Sequence, residues 1–157
     1  MNKMIPKIQK TKISAKIYPE YNYKIHFDGC SKGNPGLGGA GALLYKDNQE
    51  IMNDYLFVGE KVTNNYAEYK GLILGLNLAI ERNIKCLLVE GDSLLIINQM
   101  SGKNMCKSTN LLPLYNEAKE LEKQFDNIMF NHILRQYNER ADKLSNIAVE
   151  EYVKYNE

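Results

Sequence analysis

The sequence predicts a mixed α/β fold, a five-stranded sheet with helices packed on it. Two patterns carry this expectation. Three strand-like segments follow one another between residues 21 and 58 with short links, which argues for an antiparallel meander. Downstream, short apolar runs alternate with stretches of helical periodicity. The size agrees: 157 residues, 44% hydrophobic and 25% charged, suffice for one buried core. No internal repeat or linker splits the chain, so residues 21–157 read as one domain behind a lysine-rich arm, residues 1–20.

The elements follow in order. Tyr23, Ile25 and Phe27 alternate with Lys24, His26 and Asp28, a half-buried strand that Asp28 terminates. A dense turn region from Gly29 to Gly39 comes next, then a second strand from Gly39 to Tyr45. A turn over Lys46 to Glu50 leads to a third strand from Ile51 to Val58. Thr63, Asn64 or Asn65 caps a long helix, whose apolar face is Tyr69, Leu72, Ile73, Leu76 and Ile80. Gly71 and Gly75 lower its helix propensity, which points to close packing on the sheet. Leu87-Leu88-Val89 is a buried strand that ends at Asp92, a candidate cap for a helix from Ser93 to Met100. Gly102 breaks that helix. Thr109 or Asn110 starts another, apolar through Leu114, Ala118 and Leu121. A fifth strand spans Asn127 to Leu134. The last helix starts between Asn138 and Ala141, with Ala141, Leu144, Ala148 and Tyr152 on one stripe.

Composition excludes several classes. No apolar run reaches the ~18 residues that span a bilayer, and the N-terminus lacks an apolar signal core, so no membrane and no secretion are expected. Cys30, Cys86 and Cys106 are scattered without zinc-ligand spacing, which fits free thiols in a reducing, intracellular setting. The net charge of +1 conceals an asymmetry. Lys3, Lys7, Lys10, Lys12 and Lys16 all precede the first acid, Glu20, so the remainder is acidic. The arm reads either as a solubilising tail or as a phosphate-holding segment.

The acids carry the chemistry. Asp28 and Asp92 end strands one and four, Glu68 lies in the first turns of the long helix, and Asp142 in the first turn of the last. If those strands are parallel neighbours, their carboxyl ends lie side by side, where open α/β sheets place their sites. Converging carboxylates repel unless cations lie between them, and all-oxygen ligands suit Mg²⁺ or Mn²⁺. Two such ions ~4 Å apart serve phosphodiester hydrolysis. Taken singly, each acid is equally a turn or cap residue.

The sequence around each acid resembles type 1 ribonucleases H. Phe27-Asp28-Gly29-Cys30-Ser31-Lys32-Gly33-Asn34-Pro35-Gly36 is similar to the family's first motif. Thr63-Asn64-Asn65-Tyr66-Ala67-Glu68-Tyr69 is similar to the second, Glu90-Gly91-Asp92-Ser93 to the third, and Asn138-Glu139-Arg140-Ala141-Asp142-Lys143-Leu144-Ser145 to the fourth. All four occur in order. The resemblance implies a ribonuclease H-like fold, with three antiparallel strands followed by two parallel ones. It implies cleavage of the RNA strand of RNA–DNA hybrids to 5′-phosphate and 3′-hydroxyl ends, two Mg²⁺ or Mn²⁺ ions, a monomer and no nucleotide cofactor. Residue by residue, it makes Asp28, Glu68, Asp92 and Asp142 the catalytic, metal-binding set, with Glu68 also near the RNA 2′-hydroxyl. Gly29, Ser31 and Asn34 would grip RNA, and Thr63, Asn64 and Asn65 would meet sugar and phosphate, Thr63 and Asn64 toward DNA.

Two stretches depart from the family. Many members carry a Gly-His-x-Gly loop before the last aspartate. Ile133 to Asn138 is too short for it, as in the archaeal and plant-like branch, and His132 reads as a structural strand residue. Gly102 to Asn110 is too short for the basic handle of many members and holds only Lys103 and Lys107. Gly36 to Gly41 matches G-x-G-x-x-G, but a strand follows where a dinucleotide site needs a helix. Cys30 reads as inert, and Tyr66 and Tyr69 as the tyrosines nearest substrate, with core packing their default. The competing functions are a catalytically silent nucleic-acid- or protein-binding module, against which all four acids are present, and an integrase or 3′ exonuclease. An exonuclease of this fold opens with Asp-x-Glu rather than Asp28-Gly29-Cys30.

Overall fold

A computed structural model describes residues 21–157. The lysine-rich arm lies outside them. Strands β1 (Tyr23–Lys32), β2 (Gly36–Lys46) and β3 (Gln49–Val62) form the meander. Helix α1 (Asn64–Glu81), strand β4 (Cys86–Gly91), helices α2 (Leu94–Met100) and α3 (Leu112–Glu122), strand β5 (Asn127–His132) and helix α4 (Glu139–Tyr155) complete it. The sheet order is β3-β2-β1-β4-β5, with antiparallel pairing among the first three and parallel pairing of β1 with β4 and β4 with β5. The predicted fold class is therefore observed.

Strand lengths differ from expectation. Residues 29–32 and 36–38, read as turn, are strand. Glycine-rich sequence mimics a loop, but here it lets helices approach the sheet. A Cβ on Gly39 would lie 2.1 Å from the Ser145 carbonyl oxygen, and one on Gly41 2.6 Å from Leu144 Cβ, so α4 packs directly on β2. The segment that matches the dinucleotide fingerprint is thus strand under a helix. The true turns are Gly33-Asn34-Pro35 and Asp47-Asn48. Asp47 and Asn48 adopt φ of 50° and 66°, the left-handed conformation that asparagine and aspartate tolerate in tight hairpins.

The main core lies on one face of the sheet. Ile25, Phe27, Leu44, Leu87 and Val89 meet Tyr69, Leu72, Leu76, Ile96, Met100, Leu114 and Ala118 from α1, α2 and α3. On the other face Leu43 packs against Ala141 and Leu144 of α4. Two helix starts differ from expectation. Ser93, not Asp92, caps α2, its hydroxyl accepting from the Ile96 N–H at 3.3 Å. Neither Thr109 nor Asn110 caps α3; Leu111 precedes it without a side-chain cap bond, and Pro113 stands in the first turn. Beneath the strand ends, His26 Nε2 lies 2.8 Å from Glu90 Oε1 and cross-links β1 to β4. No helix among the described residues is long and apolar enough to cross a membrane.

Candidate active site

The sheet itself brings two of the acids together. Parallel pairing of β1 and β4 ends at Phe27 opposite Gly91, so Asp28 and Asp92 are the next residues along each chain. Asp28 does not end its strand, as expected from sequence. β1 continues to Lys32 on β2 alone, and Asp28 marks the point where it leaves β4. Because Ser93 is the cap, the Asp92 carboxylate is left for other work. Glu68 reaches the same place from α1, whose first turns lie against β1: a Cβ on Gly29 would be 2.3 Å from the Glu68 nitrogen, and one on Gly71 2.4 Å from the Asp28 carbonyl oxygen. Asp28, Glu68 and Asp92 each offer an oxygen within 4.8 Å of the others. Asp142, half-buried in the first turn of α4, stands outside that group.

Three carboxylates so placed are electrostatically uncomfortable. Burial, then the charges of Asp92 and Asp142, push Asp28 up to about 7, although bonds from Glu68 and the Gly29 N–H work the other way. Glu68 is raised well above its usual range, first by burial and then by the charge of Asp28. Glu68 Oε1 is buried without a hydrogen-bond partner. An all-oxygen set, crowded, with two of its three acids buried and holding an orphaned acceptor, fits a hard divalent cation, which would supply the missing positive charge.

The residues expected to grip substrate form a rim of their own. The Ser31 N–H donates to Asn64 Oδ1 at 2.8 Å, the Asn64 N–H to Asn34 Oδ1 at 2.9 Å, and the Asn34 N–H to Ser31 Oγ at 3.1 Å. Ser31 Oγ donates to the Val62 carbonyl at 2.7 Å. The β1–β2 turn and the start of α1 are thereby one unit. Thr63 caps α1 through the Tyr66 N–H, and Asn65 is exposed beside it. Gly29 differs from expectation: it is buried under α1, so the close backbone approach it permits is that of the helix. A groove of about 690 Å³ runs from Asn34, Thr63 and Asn65 to Met105 and Lys107. Tyr69 is fully buried and bonded to Gln99, a core residue, while Tyr66 is partly buried. Cys30, partly buried, lies 3.5 Å from the Ser145 carbonyl.

Two further residues touch the site. β5 stops at His132, two residues earlier than expected, so His132 is exposed and its Nε2 lies 3.3 Å from the Asp92 carbonyl. It borders the acidic cluster rather than the core. Asn138 is buried at 1% exposure and bonds the Asp92 carboxylate. The sequence offered it as a helix start and as the first residue of the fourth motif, but with no role of its own, because its partners are far away along the chain.

Comparison with known proteins agrees with this geometry. Residues 26–148 match the family model described as reverse transcriptase-like. Ribonuclease HI of Halobacterium salinarum is 34% identical over 143 residues, 90% of this chain and 72% of the relative. The chain belongs to the type 1 ribonuclease H family. Its fold overlays the crystal structure of that archaeal ribonuclease H1 with a TM-score of 0.79 at 33% identity, covering 82% of this chain and 98% of the other. A bifunctional protein of Mycobacterium tuberculosis is 39% identical over 127 residues, and this chain spans only 35% of it and covers 80% of itself. The N-terminal ribonuclease H domain from that organism, as a fusion protein, gives a TM-score of 0.81 at 36% identity over 86% of this chain and 98% of the other. LC11 ribonuclease H1, isolated from compost and crystallised with an RNA/DNA hybrid, gives 0.78 at 29% identity over 83% of this chain and 99% of the other.

Proposed function

We propose that the chain hydrolyses the RNA strand of RNA–DNA hybrids, with Asp28, Glu68 and Asp92 as ligands of a divalent cation and Asp142 completing the catalytic set. The observation that carries this is the trio of buried Asp28, buried Glu68 and half-buried Asp92, with oxygens within 4.8 Å of one another and one orphaned acceptor. The hybrid bound to a similar protein, LC11 ribonuclease H1, supports the substrate class. When bound, a pair of Mg²⁺ or Mn²⁺ ions would activate water and stabilise the leaving oxygen, giving 5′-phosphate and 3′-hydroxyl ends.

The chain's own residues do the rest. Asp28 and Glu68, whose carboxyls burial pushes up, would hold the cation in their ionised form, so its binding would favour loss of any proton they carry. Asp142 stands close enough to act on Asp28 by charge and would be the further ligand for a second ion. Ser31, Asn34 and Asn64, tied together and half or fully exposed, present a preorganised polar rim to sugar and phosphate, and Thr63 and Asn65 extend it. Such contacts read backbone and shape, so the expected specificity is for RNA against DNA and not for base sequence. The three cysteines are free thiols, in keeping with an intracellular, reducing setting.

One labelled hybrid tests the reading, beside single-stranded RNA, duplex RNA and duplex DNA, with Mg²⁺, with Mn²⁺ and with EDTA. Hybrid alone should be cut, only with metal, and Asp28→Asn should abolish cutting while binding remains. Metal-independent cleavage, or equal cleavage of all four substrates, would refute it.

A further inference from the structure

Asn138 sits where three of the site's supports meet. Its side chain is 1% exposed. Nδ2 donates to the Phe27 carbonyl at 2.9 Å and to Asp92 Oδ2 at 3.0 Å. These two acceptors fix the amide's orientation, since a flipped amide would set Oδ1 against a carbonyl and a carboxylate. Its backbone carbonyl accepts from the Asp142 N–H at 3.1 Å. One residue thus touches the strand position before Asp28, the carboxylate of Asp92 and the turn that carries Asp142.

Helix capping does not account for it. Asn138 precedes α4 but makes no side-chain cap bond. Its donors are turned to the sheet and to Asp92, and Oδ1 is left buried without a partner, an unfavourable arrangement for stability alone.

We propose that Asn138 is a positioning residue for the metal site: it commits Asp92 Oδ2 to the amide and so presents the other carboxylate oxygen to the cation. The inference rests on the acidic trio being a cation site. Its physical basis is that a hydrogen bond to the far oxygen of a ligand fixes the carboxylate's rotamer before metal arrives, which removes an ordering cost from binding.

Mn²⁺ binding to the whole protein is measured by electron paramagnetic resonance for wild type, Asn138→Leu and Asn138→Ala, with folding checked by circular dichroism. Both variants should bind Mn²⁺ about 10–100-fold more weakly. Their hydrolysis at low metal should fall in kcat, recover as metal is raised, and show an unchanged KM for hybrid. Unchanged Mn²⁺ affinity in either folded variant overturns the proposal. Wild-type protein gives a reading that needs no variant: the Asn138 side-chain NH₂ resonances should shift with Mg²⁺ along the same titration curve as metal binding, and constancy at saturation counts equally against it. Wild type that binds Mn²⁺ but leaves hybrid intact would sink the enzymatic reading while the Asn138 comparison still decides the positioning role. Wild type that binds no Mn²⁺ overturns both.

Discussion

Replacing Asp28 by Asn should make the metal-free protein more stable and its metal response disappear. Asp28 is pushed from 3.8 up to about 7 by burial and by the Asp92 and Asp142 charges. Well below 3.8, at about pH 2, its carboxyl is protonated in both folded and unfolded chains and costs nothing. As pH rises, the unfolded chain releases this proton first, so the folded state binds more protons and stability falls until the folded group has also titrated. The interval from 3.8 to about 7 is worth about 4 kcal/mol above neutrality. Asn cannot ionise, so Asp28→Asn should recover up to that amount at about pH 8 and nothing at about pH 2. Half of it, about 2 kcal/mol, would raise Tm by roughly 4–8 °C in a domain of this size. Thermal unfolding in EDTA, followed by circular dichroism across that range, reads the difference, and added Mg²⁺ should then stabilise wild type but not the variant. Equal Tm values at the alkaline end, or a gap that does not change with pH, would refute the electrostatic account.

Other consequences are smaller and equally direct. Gly71→Ala places a methyl 2.4 Å from the Asp28 carbonyl, a backbone atom that cannot yield, so a loss of about 1–3 kcal/mol in urea denaturation and weaker metal binding are expected. Asn64→Ala removes the acceptor for the Ser31 N–H at 2.8 Å and loosens the rim; steady-state kinetics on hybrid should show KM rising more than kcat falls. Arg140→Ala breaks an exposed pair with Glu50 at 2.9 Å and should change stability by no more than about 1 kcal/mol in the same denaturation assay.

Much of this protein was legible in the linear order of residues. Alternation in Tyr23 to Asp28 and the spacing of Tyr69, Leu72, Ile73 and Leu76 fix strand and helix, because burying an apolar face forces one period or the other. The four acids and the motif around each stood out for the same reason: chemistry demands particular side chains at particular points. The folded chain decided what depends on neighbours distant in sequence. Whether glycines at 29, 39 and 41 meant loop or helix-bearing strand was set by what packs on them, Ala67 and Glu68 in the first case and Ser145 and Leu144 in the others. Ser93 rather than Asp92 became the cap, and only three of four carboxylates gathered within 4.8 Å, since both outcomes turn on side-chain direction at the ends of elements. Asn138 shows the difference most plainly: nothing near it in sequence identifies its partners, because Phe27 and Asp92 lie 111 and 46 residues away, where the parallel β1–β4 pairing ends beside α4.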